Sequence, residues 1–288
     1  MRKILYLSAI LVSVFYSVTA NAAVHIKPVN SSVCEKYFIK GNNISVKCDF
    51  PKSKMHISTI LSGSVECFGE TCREIDLDEI HFTKLIILKN NKKSQEINLG
   101  SIETYVRLSM FTEAVKFMDL NFDGYDDIQL YESPTAGVNA TYVYWLYNPK
   151  TRLFDATDLG KKLFGYDVTP DIKTKTINIK SHSGCCYNWN TTYHWVGNEL
   201  RKKVEIFSGS LLVDAYGQVT SYYNDNEEIL REEIDPNDWR DEHNERIGIK
   251  SYILKLKEEE KNGNYILKKN GDDKYTVIYN KPTKQKNN

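Results

Sequence analysis

Between about Met110 and Phe207 apolar and polar residues alternate in short runs. Val115 with Phe117 and Ile128 with Leu130 lie on either side of an acidic segment. Ile177 with Ile179, Tyr193 with Trp195, and Val204 with Ile206 follow. A period of two marks strands with one face buried. Tyr142 to Tyr147 is a dense aromatic strand closed by the turn Asn148-Pro149-Lys150-Thr151, and Gly197-Asn198 joins the last two runs. The pattern predicts antiparallel sheet, with one modest helix over Ala156 to Leu163. Upstream, Ala23 to about Ser109 is mixed. Its clearest strand is Lys84 to Leu88, followed by the polar turn Asn90-Asn91-Lys92-Lys93. Downstream, Leu211 to Tyr216 and Gln218 to Tyr223 are expected to flank a turn at Gly217. Tyr265 to Lys268 and Tyr275 to Tyr279 flank Asn270-Gly271-Asp272-Asp273. Leu230 to Lys257 is charged and gives no firm element.

The expected fold class is therefore all-β: mainly antiparallel, propeller-like or sandwich-like sheets with few short helices. No fixed-period repeat is present. The organisation read from the pattern is an N-terminal β-rich region (23–109), a central β domain carrying the acidic loop (110–207), a C-terminal β-rich extension (208–280) and a polar tail (281–288).

Residues 1–22 change the setting. Arg2 and Lys3 precede an almost wholly apolar run from Ile4 to Val18, and Ala20-Asn21-Ala22 is a small-x-small site. This is the pattern of a secretory signal peptide cut after Ala22. The run is short for a membrane span, and no positive stop-transfer flank follows it. Export places the chain in an oxidising space, so Cys34, Cys48, Cys67, Cys72, Cys185 and Cys186 are expected in disulfides. Proximity favours Cys34–Cys48 and Cys67–Cys72. The adjacent Cys185 and Cys186 then form a vicinal ring, or each reaches elsewhere. Lys and Arg number 38 against 38 Asp and Glu, so no charge argument points to nucleic acid.

Asp119-Leu120-Asn121-Phe122-Asp123-Gly124-Tyr125-Asp126-Asp127 fits D-x-N-x-D-G-x-x-D. Calcium wants six to eight hard oxygens. Asp119, Asn121 and Asp123 at alternate positions can point to one centre, the Tyr125 carbonyl adds a main-chain oxygen, and Asp127 closes the shell. Gly124 allows the sharp turn. An EF-hand would place a bidentate Glu at loop position twelve, where this chain has Leu130. A plain acidic turn uses the same residue types without metal.

Ser183-Gly184-Cys185-Cys186-Tyr187 lies between two strand-like runs and is expected at an exposed hairpin tip. A stiff tip with a hydroxyl, a Gly and a Tyr can enter a concave site at low entropic cost. An ordinary long hairpin loop with a structural disulfide is the plainer reading.

The stretch FMDLNFDGYDDIQLYESPTAGVNATYVYWLYNPKTRLFDATDL, Phe117 to Leu159, resembles periplasmic immunity proteins that inhibit lysozyme-like effectors of bacterial secretion systems. The calcium loop, the Y-x-Y-W-L-Y strand and the N-P-K-T turn occur in the same order, and the likeness continues to about Phe207. Ser183-Gly184-x-x-Tyr187 is similar to the S-G-x-x-Y motif of periplasmic lysozyme inhibitors. The resemblance implies a bacterial periplasmic protein and a loop that enters a lysozyme cleft. Ser183 and Tyr187 would contact catalytic acids or subsite walls, and Gly184 would shape the turn. Two departures stand out: Cys-Cys fills the variable positions, and the companion Y-x-x-x-T-K-G-type element is missing.

Enzyme signatures are absent: no G-x-S-x-G, P-loop, H-E-x-x-H or G-x-G-x-x-G occurs. A zinc site from His182, His194, Cys185 and Cys186 is disfavoured, because adjacent cysteines fit one tetrahedral ion poorly. The expectation is thus a non-enzymatic, calcium-stabilised inhibitor of a lysozyme-like peptidoglycan hydrolase. A calcium-stabilised structural or adhesive envelope module is the alternative, and a secreted hydrolase with two catalytic carboxylates is the third reading.

Overall fold

The computed structural model describes residues 33–40, 43–50, 55–66, 79–100, 102, 104, 106–107, 114–134, 139–184, 186–212, 215–235, 248–270 and 274–283. Residues 1–22, expected to be a signal peptide, lie outside them, as do Cys67, Cys72, Cys185 and the tail from 284.

The chain is all-β with few helices, in three antiparallel sheets. The first sheet runs β1 (Val33–Lys40), β2 (Asn43–Asp49), β3 (Ile57–Glu66), β4 (Glu79–Lys89) and β5 (Lys92–Asn98), with the short β6 (Val106–Arg107) also on β4. Asn90 and Asn91, at φ 50° and 59°, make the tight β4–β5 turn that the polar sequence signals. The second sheet is a four-stranded meander of β7 (Val115–Met118), β8 (Asp127–Pro134), β9 (Ala140–Asn148) and β10 (Leu153–Ala156). The third has eight strands. In sheet order these are β11 (Asp167–Asp171), β12 (Thr176–Ser183), β13 (Tyr187–Val196), β14 (Glu199–Leu212), β15 (Ala215–Tyr223), β16 (Ile229–Asp235), β18 (Lys274–Thr283) and β17 (Tyr265–Asn270). Helix α1 (Gly248–Glu260) precedes β17.

The second sheet is buried on both faces. Along β9, Val143, Trp145 and Tyr147 join the core shared with the first sheet, around Ile44, Leu61, Phe82 and Leu85. The alternate residues Ala140, Tyr142 and Tyr144 join a second core with Leu163, Ile177, Ile179 and Leu200. Two-sided burial explains why this strand reads as a continuous aromatic run rather than as an alternation. Tyr144 is almost fully buried, and its hydroxyl accepts from Gln129 Nε2 (3.0 Å) and donates to the Leu163 carbonyl (3.3 Å). The first core holds residues from both sides of position 109, so the N-terminal and central regions share one interior. A third core joins Val219, Ile234 and Val277 to Ile253 and Leu256 of α1.

Three local expectations are corrected. The helix over Ala156 to Leu163 is a single 3-10 turn, Leu159–Lys161, which seats Leu159 in the second core. Gly217 is not a turn: β15 passes straight through it, and Gly217 sits opposite Gly209 in the β14–β15 ladder. A glycine inside a strand can mark a bulge, a bend or a close backbone approach rather than a reversal. The charged stretch Leu230 to Lys257 contributes most of β16 and α1, and Ile234, Ile253 and Leu256 from it join the third core.

Candidate functional site

The acidic loop joins β7 to β8. Phe122 at φ 60° and Gly124 at φ 92° reverse the chain twice within three residues, which coils Asp119, Asn121 and Asp123 onto one turn. The carboxylate of Asp119 accepts from Asp123 N (3.1 Å) and Gly124 N (2.9 Å). Asp123 accepts from Tyr125 N (2.9 Å) and from the Asn121 amide (3.0 Å). Tyr125 leans its ring on Tyr147 at 5.2 Å. Asp127 is fully buried and faces a different way. Its two oxygens accept from Leu120 N and Tyr147 N, both at 2.8 Å, tying the loop's start to the end of β9. Burial pushes its carboxyl up to about 7, although the two backbone donors pull the other way.

The donors fit a hard cation in kind: Asp119, Asn121, Asp123, Asp127 and the Tyr125 carbonyl are all oxygen ligands, and each carboxylate oxygen keeps a lone pair beyond its hydrogen bond. Asp119 and Asn121 meet at one point, both accepting from Asp123 N at 3.1 Å, while Asp127 turns to Leu120 N and Tyr147 N. Among the described residues no three His, Cys, Asp or Glu side chains are gathered as a metal would hold them. Asp127 serves as a staple from behind the turn.

The hairpin tip lies at the far end of β12 and β13, with Ser183 paired to Tyr187. Ser183 and Gly184 are exposed, Gly184 has φ +63°, and nothing lies within 4 Å of where its side chain would be. Beyond Asp167 the neighbouring β11 has not yet begun, so His182 has no strand partner on that side. Asn139 takes that place: its Oδ1 accepts from His182 N (3.0 Å) and its Nδ2 donates to the His182 carbonyl (2.5 Å). The tip is thereby fixed to the second sheet by a buried side chain that sequence reading did not single out.

On the tip's other side β14 runs on past Ser208 to Leu212, so the tip is not a lone finger. The Tyr187 ring lies beside Phe207 (6.1 Å, 20° between planes) and Trp189 (6.4 Å, 27°), and Trp189 packs on Phe207 (5.2 Å). These rings share one sheet face because Tyr187 and Trp189 are two apart and Trp189 is in register with Phe207. Tyr187 is 38% exposed. Its seat is Gly209, where a Cβ would stand 2.7 Å from Tyr187 Cδ1 and 2.9 Å from Phe207 Cζ. The strand position of Phe207 and Gly209 could be read from sequence; their approach to Tyr187 could not.

Cys48 and Cys186 are each disulfide-bonded, and Cys34 stands opposite Cys48 in the β1–β2 register. Among the described residues no helix is long and apolar enough to cross a membrane.

No protein-family model matches the chain. No curated protein matches it either. Among solved structures it is similar to a Xanthomonas type IV secretion system related protein, with a TM-score of 0.36 and 13% identity, covering 72% of this chain and 96% of that one. A likeness at that level carries no argument about function.

Proposed function

We propose that the protein acts by binding rather than catalysis: exported to a bacterial periplasm, it blocks the active-site cleft of a lysozyme-like peptidoglycan hydrolase. The Ser183–Tyr187 tip and the aromatic face beside it make the contact. The observation that carries the reading is the exposed Tyr187 ring, stacked beside half-buried Phe207 and Trp189, next to an open turn. Rigid aromatic rings give large contact area with little conformational entropy to lose, and such residues dominate interface energetics. The hydroxyls of Ser183 and Tyr187 are donors, and the acids of a glycoside hydrolase are acceptors. The S-G-x-x-Y resemblance points the same way. Since β14 and β15 flank the tip, the cleft is covered by an edge of adjacent hairpins, not by one protruding loop.

Calcium belongs to this reading as a structural ion. The residues that would hold it are Asp119, Asn121, Asp123, Tyr125 through its carbonyl, and Asp127, and it would supply charge neutralisation to a turn rich in carboxylates.

The test is a lysozyme turbidity assay with wild type and Tyr187→Ala. The variant stays folded, with a cooperative melting transition, and loses inhibition; inhibition at wild-type strength by that variant removes the tip from the mechanism. Separately, added calcium raises the melting temperature and a chelator lowers it, as binding to the native state requires. Asp123→Ala abolishes the response. A melt indifferent to calcium in the wild type removes the ion from the reading.

A further inference from the structure

At the opposite end of β13 from the tip, about 30 Å along the extended strand, the structure has a concave site that the inhibitory contact does not use, although Asn121 and Asp123 of the acidic loop line it. A cleft of about 810 Å³ opens where the second and third sheets meet, between the acidic loop, the 3-10 turn and the Gly197-Asn198 turn. Its apolar lining is Leu146, Leu159, Leu200 and Trp195. Leu159 and Leu200 are buried, and Trp195 is pinned because its indole N–H donates to the Leu120 carbonyl at 2.8 Å. The charged lining is Asp123, Asp158 and Glu199 against Lys162. Lys162 is already engaged, donating to the Leu200 carbonyl (2.6 Å) and to Glu227 (3.4 Å). Asp158 faces Lys161 at 3.9 Å and its side chain is 81% exposed; Glu199 accepts from the Arg201 guanidinium, and its side chain is 62% exposed.

We infer that this cleft binds an arginine side chain presented by a protein partner. An immobilised indole wall, leucines below and carboxylates on the rim match the three parts of arginine. The guanidinium plane stacks on the aromatic ring, the methylene stem lies on apolar surface, and the N–H fork meets carboxylates. A lysine satisfies the rim but not the wall, because its ammonium is compact and strongly hydrated. An anionic ligand meets three carboxylates. The site is independent of the tip, so its failure leaves the inhibitor reading intact and the reverse also holds.

The experiment follows the Trp195 indole N–H resonance in the full chain, assigned through Trp195→Phe, during titration with acetyl-Gly-Arg-Gly-amide. The same peptides carrying citrulline or lysine serve as comparators. The expected result is a saturable shift with arginine at least fivefold tighter than with citrulline, weakened by salt. Asp158→Asn with Glu199→Gln cuts the affinity at least tenfold. Both positions are exposed, so the rest of the spectrum stays in place and reports that the fold is intact. Tyr187→Ala leaves the titration unchanged. An unmoved Trp195 resonance at millimolar arginine peptide overturns the inference. So does an equal response to citrulline, or full affinity in the double variant.

Discussion

Gly209→Ala tests whether Tyr187 is held by a seat that only a glycine provides. The new methyl would stand 2.7 Å from Tyr187 Cδ1, 2.9 Å from Phe207 Cζ and 3.1 Å from the Cys186 carbonyl oxygen. If the rings stayed in place, overpacking would cost about 1–3 kcal/mol. Tyr187 has a cheaper escape, since it is 38% exposed and can swing into solvent. That route forfeits ring contacts with Phe207 and Trp189, about 0.5–1.5 kcal/mol. Replacing a mid-strand glycine by alanine returns roughly 0.5–1 kcal/mol of backbone entropy. The two nearly cancel, so the denaturation midpoint moves little while the tip rearranges. The informative measurements are therefore near-ultraviolet circular dichroism and the inhibition assay. Both are expected to change in Gly209→Ala. In a double-mutant cycle with Tyr187→Ala, the alanine at 209 becomes better tolerated, giving a coupling of about 0.5–1.5 kcal/mol. Additivity within about 0.5 kcal/mol, together with an unaltered aromatic spectrum, would show that Gly209 does not support the ring.

Asn139→Ala removes both hydrogen bonds to the His182 backbone and leaves a half-buried N–H and C=O without that partner. The expected loss is about 2–6 kcal/mol, at 1–3 kcal/mol per unmet group, and the His182 amide becomes fast in hydrogen exchange. An amide that stays protected refutes the clamp. Glu232 is pushed up by burial, against hydrogen bonds from Tyr279 and Ser221 that lower it. Its contribution to stability is therefore fully present below the ordinary carboxylate range and is lost as pH rises through its raised folded-state value. Glu232→Gln flattens the melting-temperature profile between pH 4 and 8, and parallel profiles for the two proteins count against the assignment.

The fold class was legible because period-two alternation is a local signal. It placed the β7–β8, β12–β13 and β13–β14 neighbours and the turns at Asn90-Asn91, Asn148-Pro149-Lys150-Thr151 and Gly197-Asn198. What stayed hidden was non-local. Gly217 carries turn chemistry in isolation, and only its place opposite Gly209 shows a strand glycine. In the charged run around Leu230 to Lys257, the docking residues Ile234, Ile253 and Leu256 stand among many charged neighbours, so composition conceals them. In the acidic loop the spacing located the turn, but not that Asp127 faces Leu120 and Tyr147. At the tip the sequence pointed to Ser183, Gly184 and Tyr187. It was silent on Asn139, more than 40 residues upstream in the chain, because nothing in a sequence pairs a side chain with a distant backbone.

The twice-covered middle sheet has a consequence for how the chain comes apart. Its four short strands supply the lid for one interior and the floor for another, so neither neighbour can let go of it without wetting its own apolar side. A protease that nicked the chain between residues 107 and 114 would not release a self-sufficient N-terminal piece. The fragment would carry Ile44, Leu61, Phe82 and Leu85 on a naked surface and would adhere to whatever hydrophobic partner it met first.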